Sequence, residues 1–247
     1  MKMFDDVIAI EPHPLVYLRD IDLLVVSDLH LGFELVSAEH GIFIPRTQFK
    51  NIKRIIEDGR KKSNASRILI LGDIKHEFSE TGYHEYREVY LLLEYLKRCF
   101  EEIIAIKGNH DTFITRITRK LDIEVYDEYR EGKYLFLHGH KDKNLRNIKE
   151  DIIILGHEHP SVALFTDLGI KEKIKIFLYG NFGDKKIIVM PAASYFAEGS
   201  DINILPSEEL ISPILRRVDI DGFRALGIIE DDRYLPLPEI RRLRKYG

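Results

Sequence analysis

Five short segments rich in histidine and aspartate constrain this chain more than any other feature. They are Asp28-Leu29-His30, Gly72-Asp73, Gly108-Asn109-His110-Asp111, His138-Gly139-His140 and Gly156-His157-Glu158-His159. Each follows an apolar run typical of a buried strand, over residues 23–27, 67–71, 103–107, 134–137 and 152–155. Because ligands bind at the strand ends of open α/β sheets, we expect these side chains to meet in one cleft.

The composition is typical of a globular protein of a reducing compartment. The 247 residues are 45% hydrophobic, which is enough for one globular core. The net charge of −4 argues against a strongly basic protein that coats nucleic acid without sequence preference. Cys99 is the single cysteine, so no internal disulfide can form. No signal-like segment or span of roughly 20 apolar residues occurs, so we expect a cytoplasmic protein without a membrane partner. A single glutamine and abundant Ile, Lys, Glu and Arg are typical of thermophiles, with an AT-rich genome as the alternative.

The first half of the chain predicts alternating strands and helices. A hairpin over residues 7–10 and 15–18 precedes the strand 23–27, and a helix follows Pro45 and closes at residues 59–64. The strand 67–71, a helix over 86–100 and the strand 103–107 come next. This β-α-β-α-β order implies parallel strands with right-handed crossovers.

The second half predicts short, mainly antiparallel strands. After a helix over 112–120, they fall at residues 124–126, 133–137, 152–155, 162–166, 174–179 and 185–190, with a hairpin turn at 180–184. Residues 216–220 and 223–229 predict another hairpin around Asp221-Gly222, after an irregular excursion over 191–213. We therefore expect a mixed α/β fold, a four-layer αββα sandwich of two mixed β-sheets flanked by helices. One domain would span residues 1–247, with the motif core at 23–160, C-terminal strands and loops at 161–235 and a peripheral basic tail at 236–247.

The residue types of the five motifs favour a centre of two divalent metals. Such ions lie about 3.5–4 Å apart and need a shared carboxylate with nitrogen and oxygen ligands on both sides. Asp28 and His30 can leave one tight loop together, and Asp73 follows a glycine that permits a sharp turn. Carboxylate, amide and imidazole ligands suit Mn, Fe or Zn, and no cysteine cluster competes. A structural zinc module is disfavoured, since it needs Cys-rich closed spacing.

The complete motif series resembles the calcineurin-like metallophosphoesterase superfamily. The ordered pattern Asp-x-His, Gly-Asp, Gly-Asn-His-Asp, His-Gly-His, Gly-His-x-His is intact within residues 23–160. Segments 26–34 and 41–48 are further similar to archaeal SbcD-related phosphoesterases and to bacterial DNA-ligase-associated phosphoesterases.

This resemblance implies a role for each motif residue. Two divalent ions would be bound, with Mn2+ as first choice and Fe, Zn, Ni or Co as alternatives. Asp28, His30 and His159 would hold one ion, Asn109, His138 and His157 the other, and Asp73 would bridge them. A metal-bridging hydroxide would attack phosphorus. His110 would stabilise the developing charge or protonate the leaving oxygen without binding metal, and Asp111 would orient His110.

Two further histidines and several basic residues are weaker candidates. His76 resembles a histidine that assists catalysis in the repair-nuclease branch of the superfamily, with a solvated loop histidine as the alternative. His140 is expected to lie beside the metal ligands or to form a hydrogen bond with a metal ligand or the substrate. Lys75, Arg116, Lys141, Lys143, Arg146 and Arg46 could grip phosphate or be ordinary surface side chains.

The expected activity is a metal-dependent phosphoesterase, with a phosphodiesterase acting on nucleotides or single-stranded nucleic acid as first choice. The short acidic chain argues against long duplex substrates. The alternatives are a phosphomonoesterase on a small metabolite and a silent binding scaffold that keeps the fold. DNA-repair partners are implied by the resemblance only, and the sequence does not indicate whether the chain forms a homo-oligomer. The substrate is not readable either, because specificity lies in loops such as 32–45 and 191–213.

Overall fold

The computed structural model describes residues 1–78, 82–165, 169–197, 199–229 and 232–244, and within them a six-stranded sheet contains the first three motif strands. In spatial order its strands are β1 (Val7–Ala9), β2 (Leu15–Leu18), β3 (Leu23–Val26), β4 (Arg67–Leu71), β5 (Glu102–Ile106) and β6 (Val125–Tyr126). The pairs from β3 to β6 are parallel, whereas β1, β2 and β3 are joined antiparallel. The predicted opening hairpin and parallel core are confirmed.

The helices of this half are α1 (Phe33–Glu39), α2 (Gln48–Ser63), α3 (Tyr83–Cys99) and the single turn α4 (Thr115–Thr118). The last three cover the outer face of the first sheet, because each contributes residues to the apolar cluster on that face. Ile52 and Ile56 of α2 and Val89 and Leu93 of α3 are buried in one apolar cluster with strand residues. Their helical spacing therefore places α2 and α3 on the sheet as predicted. The short helix α1 was not expected.

The second sheet contains the remaining motif strands and is also mixed. Its strands are β7 (Glu128–Glu131), β8 (Tyr134–Leu137), β9 (Ile152–Leu155), β10 (Ser161–Phe165), β11 (Lys171–Phe182), β12 (Lys185–Val189), β13 (Arg224–Ile229) and β14 (Arg233–Glu239). The order is β14-β13-β11-β12-β9-β8-β7, with β10 paired to β11. The pairs of β9 with β8 and β12 are parallel, and the other pairs are antiparallel.

Alternating strand residues divide the interior into layers. Ile68 and Ile70 of β4 pack towards the helices, whereas Leu69 and Leu71 pack between the two sheets. The outer face of the second sheet is covered by residues 202–220 and by α5 (Ile240–Leu243). This arrangement is the predicted sandwich of two mixed sheets flanked by helices, although short 3₁₀ turns and irregular chain form most of the outer layer on the second sheet.

Two predictions for the C-terminal region were wrong. Residues 216–220 do not form a strand, since a 3₁₀ turn occupies Leu215–Arg217, and β13 pairs with β11 and β14 instead. The described part of the basic tail is not peripheral, because Ile240 and Leu243 are buried in the cluster beneath the second sheet. The predicted strand end at Thr166 and the tail residues 245–247 lie outside the described residues. Along the described chain, no helix has the length and apolar character needed to cross a bilayer.

Candidate metal centre

The five motif segments follow parallel strands of both sheets, and backbone hydrogen bonds join the first segment to the second and the fourth to the fifth. The amide of Asp28 donates to the carbonyl of Gly72, and the amide of His30 donates to that of Asp73. A Cβ on Gly72 would lie 2.3 Å from Nδ1 of His138, so only glycine permits this approach of the two sheets. The structure thus brings the predicted segments together at one edge.

Five site residues share an uncommon backbone conformation. Positive φ angles occur at Asp28 (56°), His30 (44°), Asp73 (50°), His157 (67°) and His159 (46°). The left-handed region is uncommon for residues other than glycine, and it clusters at functional sites where the surroundings enforce it. The strained turns aim the side chains of separate loops at one another.

The first cluster contains Asp28, His30, Asp73 and His159. One ligand atom from each lies within 4.8 Å of the others. His159 Nε2 is 3.0 Å from Asp28 Oδ1 and 3.4 Å from His30 Nε2. Nδ1 of His30 is buried with no hydrogen-bond partner among the described residues. Converging imidazole nitrogens and carboxylate oxygens are the donors that a borderline divalent cation prefers.

The second cluster contains Asp73, His138 and His157, again with ligand atoms within 4.8 Å. His138 Nε2 is 3.2 Å from Asp73 Oδ2 and 3.1 Å from the amide oxygen of Asn109. The other ring nitrogen of His138 pairs with the carbonyl of Leu71 at 2.9 Å. That bond fixes the ring so that Nε2 points into the cluster.

Asp73 belongs to both clusters. Its Oδ2 lies 3.2 Å from Nε2 of His138 and 3.9 Å from Nε2 of His30. Its Oδ1 accepts the backbone amide of His110 at 2.9 Å. A carboxylate between two ligand sets is what a pair of neighbouring divalent cations requires.

The electrostatics of the clusters fit cation binding. Burial alone would raise the pKa of Asp28 and Asp73, but neighbouring imidazoles hold both below the usual range. Burial, with the charge of His159, lowers the pKa of His30 to about 3. Burial, with the charge of His138, lowers that of His157 to about 4. Burial alone would lower the pKa of His138, but the hydrogen bond and charge of Asp73 raise it to about 9. The carboxylates and the imidazoles of His30 and His157 are therefore in the protonation state that a metal needs, whereas a metal at His138 would displace a proton.

The ring of His110 lies at the edge of the first cluster. Its Nε2 is 3.9 Å from Asp73 Oδ2, and its Nδ1 pairs with the carbonyl of His76. The rings of His30 and His110 meet edge-on at 4.8 Å between centroids. One nitrogen of His110 is thus fixed by the backbone and the other is directed to the centre.

Asp111 acts on the loops and not directly on the ring of His110, which differs from the expectation. Its buried carboxylate accepts the backbone amides of Gly108 at 2.8 Å and Ile74 at 2.9 Å. Burial and the charge of Asp73 raise its pKa to about 6. Asp111 therefore ties the loop after β5 to the loop after β4.

His76 lies at the centre, whereas His140 flanks it. His76 has a ring nitrogen within 4.8 Å of ligand atoms of His30 and His110. Its backbone amide donates to the buried carboxylate of Glu85 at 2.9 Å. The ring of His140 lies 5.2 Å from that of His138, and burial with the charge of His138 lowers the pKa of His140 to about 4.

Most of the basic residues considered as phosphate contacts are engaged elsewhere. Lys75 is fully buried and donates to the carbonyl of Glu77. Arg46 pairs with Glu88 at 2.5 Å, Lys141 with Asp127 at 2.8 Å, and Lys143 with Glu128. The guanidinium of Arg116 lies 4.6 Å from the ring of Phe113.

Two residues that brace the site were not predicted. Gln48 is buried and donates to the carbonyls of Leu29 and His30 at 2.8 and 2.7 Å. Glu158 is buried and accepts the amides of Ile211 and Ser212 at 3.2 and 2.7 Å. The sequence offers one signal for each: Gln48 is the only glutamine, and Glu158 is an acid inside a histidine motif.

Comparison with known proteins gives a family match and matches to solved structures. The family model for calcineurin-like phosphoesterases matches residues 21–223. The structure is similar to the nuclease MPE of Pseudomonas putida, with a TM-score of 0.60 and 19% identity over 91% of this chain and 92% of that chain. It also matches Yfce, a phosphoesterase from E. coli, with a TM-score of 0.43 and 17% identity over 91% of this chain and 94% of that one. No curated protein matches the chain significantly.

Proposed function

This chain belongs to the calcineurin-like phosphoesterase family of metal-dependent hydrolases, and we propose that it is a phosphodiesterase acting on nucleotides or single-stranded nucleic acid. Segments 26–34 and 41–48 support a finer placement near the SbcD-related and DNA-ligase-associated phosphoesterases. The description of the Pseudomonas putida protein as a nuclease motivates the nucleic-acid part of the proposal.

The position of Asp73 is the observation on which the proposal depends. Its carboxylate belongs to both potential metal-binding clusters, and each cluster adds buried carboxylate, amide or imidazole donors from other loops. A single-metal site would need no shared carboxylate, whereas phosphoester hydrolysis by two cations does.

We propose the following roles for the site residues. Asp28, His30 and His159 hold one divalent cation, Asn109, His138 and His157 hold the other, and Asp73 is shared. Mn2+ is the first choice for this oxygen and imidazole set, with Fe, Zn, Ni or Co as alternatives. When bound, such cations polarise the phosphoryl group and lower the pKa of water.

The remaining residues act on protons and on position. Nδ1 of His110 donates to the carbonyl of His76, so Nε2 faces the centre and, when the ring is an imidazolium, can donate its proton to the departing oxygen. His76 places a second imidazole beside His30 and assists at the same end of the centre. Asp111 keeps the loops after β4 and β5 in register through backbone amides.

A substrate comparison in Mn2+ tests the proposal. Bis-p-nitrophenyl phosphate and single-stranded DNA should be hydrolysed faster than the monoester p-nitrophenyl phosphate. Hydrolysis of the monoester alone would replace the proposal with a phosphomonoesterase. Metal-loaded protein that hydrolyses none of a broad phosphoester panel would instead be a binding scaffold.

Asp73→Asn tests the shared carboxylate, with Asp5→Asn at an exposed position as the matched control. The Asp73 variant should retain less than one equivalent of Mn2+ after dialysis, whereas the control should keep the wild-type content. Full metal content in both variants would contradict the assigned role of Asp73.

We also propose that residues 1–247 form one domain. Ile240 and Leu243 near the C-terminus pack in the same apolar cluster as Leu155 of β9. Tyr234 of β14 donates its hydroxyl to the carbonyl of His13 at 2.6 Å, which joins the C-terminal hairpin to the N-terminal segment. Limited proteolysis should therefore yield no stable fragment that ends near residue 160.

A further inference from the structure

Two aromatic rings stack on each other beside the metal centre. They belong to the two segments, residues 32–45 and 191–213, whose sequences do not reveal the substrate. Phe33 follows the first motif at the start of α1, and Phe196 lies in the irregular chain after β12. Their ring centroids are 5.0 Å apart and the ring planes differ by 8°. Both side chains are partly exposed. Each ring covers one face of the other, so the pair offers an apolar surface made of the ring edges and the remaining ring faces, on the side of the molecule where the five motifs converge.

The stacked pair borders the same cavity as the catalytic histidines. The cavity has a volume of about 360 Å³ and is lined by His30, His76, His110, His159, Phe33, Phe196 and Ala197. The ring of Phe33 contacts that of His76 at 4.8 Å between centroids. A group resting on the pair would therefore lie directly next to a phosphoester held at the centre.

The chemistry of this lining favours an aromatic substituent over a second phosphate. The described residues that line the cavity include two phenylalanines and no lysine or arginine. Arg46, which lies in the same loop region as Phe33, is paired with Glu88. A dianionic group would find no side-chain cation in this lining, whereas a planar ring would bury its face on an apolar surface.

We propose that Phe33 and Phe196 form a platform on which a nucleobase of the substrate stacks beside the scissile phosphodiester. This inference rests on the proposed phosphodiesterase function and names the substrate group that the site recognises. Base stacking on aromatic side chains tolerates any base sequence, because every base has a π-face. The platform thus selects nucleotides without selecting a sequence.

Two diesters that differ only in the nucleoside test the platform. Thymidine 5′-(p-nitrophenyl phosphate) and methyl p-nitrophenyl phosphate both lose p-nitrophenolate by cleavage of one P–O bond, and only the first has a base. Phe196→Leu should raise KM for the thymidine ester by roughly 5- to 150-fold, the range of stacking losses on removal of an aromatic ring. Its kinetics on the methyl ester should change by less than about twofold, and Phe196→Tyr should behave as the wild type does. The control Phe165→Leu removes an exposed ring on β10 outside this cavity and should change neither ester.

Equal losses on both esters would overturn the platform, because Phe196 would then support the site as a whole. Unchanged kinetics on both esters would overturn it as well. If the wild type hydrolyses neither ester, the proposed function fails, and the platform is then judged by fluorescence anisotropy with fluorescein-labelled oligothymidine. Weaker binding by Phe196→Leu than by Phe165→Leu would support the platform, and equal binding would reject it.

Discussion

Replacing Gln48 with leucine tests whether a buried side chain outside the motifs holds the first motif loop. Nε2 of Gln48 donates to the carbonyls of Leu29 and His30, and Oε1 accepts from the hydroxyl of Ser194 at 3.0 Å. Leucine has a similar size but no polar atom. The two carbonyls would lose their donor in a buried region, since Gln48 and Leu29 are fully buried and His30 is only 5% exposed.

The hydrogen bonds that Gln48→Leu removes determine how far the free energy of unfolding should fall. A buried polar group left without a partner costs about 1–3 kcal/mol, so two carbonyls cost about 2–6 kcal/mol in the free energy of unfolding. The buried hydroxyl of Ser194 would keep the bond that it accepts from the amide of Ala197 at 3.2 Å but would lose the acceptor of its own proton, which adds to this cost. Since whole domains have only about 5–15 kcal/mol of stability, the variant should be measurably weakened yet folded.

Urea denaturation in EDTA measures this loss without any contribution from bound metal. Lys50→Leu, at an exposed position of the same helix, controls for the introduction of leucine and should change the free energy of unfolding by less than about 0.5 kcal/mol. Affinity for Mn2+ should also fall, by about tenfold or more, because His30 is released from a left-handed conformation that costs about 1–3 kcal/mol to maintain. A loss below about 1 kcal/mol, or one equal to that of the control, would refute the reasoning.

Three other variants test separate parts of the structure. His110→Ala should keep both metal ions by elemental analysis but lower kcat by about 10²-fold or more, and loss of metal would contradict its role in proton transfer. Gly199→Ala should lower the melting temperature sharply, because its Cβ would lie 1.7 Å from the carbonyl oxygen of His159, whereas Gly82→Ala, with no atom within 4 Å, should not. Burial alone would raise the pKa of Asp22, but hydrogen bonds to its carboxylate lower it. The stability advantage of wild type over Asp22→Asn should therefore be full above the unfolded pKa of about 3.9 and disappear as pH falls through the folded value, and an advantage that persists at pH 2 would argue against this linkage.

Local patterns predict the first sheet well because its contacts follow the order of the chain. Apolar runs at 23–26 and 67–71 and the helical spacing of Ile52 and Ile56 are sufficient to give parallel strands with helical crossovers. The motif side chains gather for the same reason, since parallel strands place their ends at one edge. Apolar runs and helical spacing thus predict the first half of the fold and the meeting of the motif side chains, whereas the role of each candidate ligand is implied by the family resemblance.

The C-terminal pairing could not be read from local signals. Asp221-Gly222 is a strong turn signal, but the preceding residues contain Arg216 and Arg217 and form a 3₁₀ turn, so β13 pairs with β11 and β14. Strand partners in a mixed sheet are chosen by non-local burial, which a sequence window does not contain. The short helix α1 was missed because seven residues give too little periodicity.

The residues that were not predicted share a physical property that explains why sequence patterns miss them. The side-chain nitrogen of Gln48 and the carboxylate of Glu158 both bind backbone groups of distant segments, across 18 residues to His30 and 54 residues to Ser212. Neither residue has donor atoms in the potential metal clusters, so no ligand spacing reveals it. Each nevertheless supports a loop with residues in the left-handed conformation, and strained backbone persists only where its surroundings enforce it. The irregular chain over 199–213 therefore serves the site largely through backbone contacts, namely the amides of Ile211 and Ser212 on Glu158 and the close approach of Gly199 to His159, and such contacts leave little pattern in a sequence.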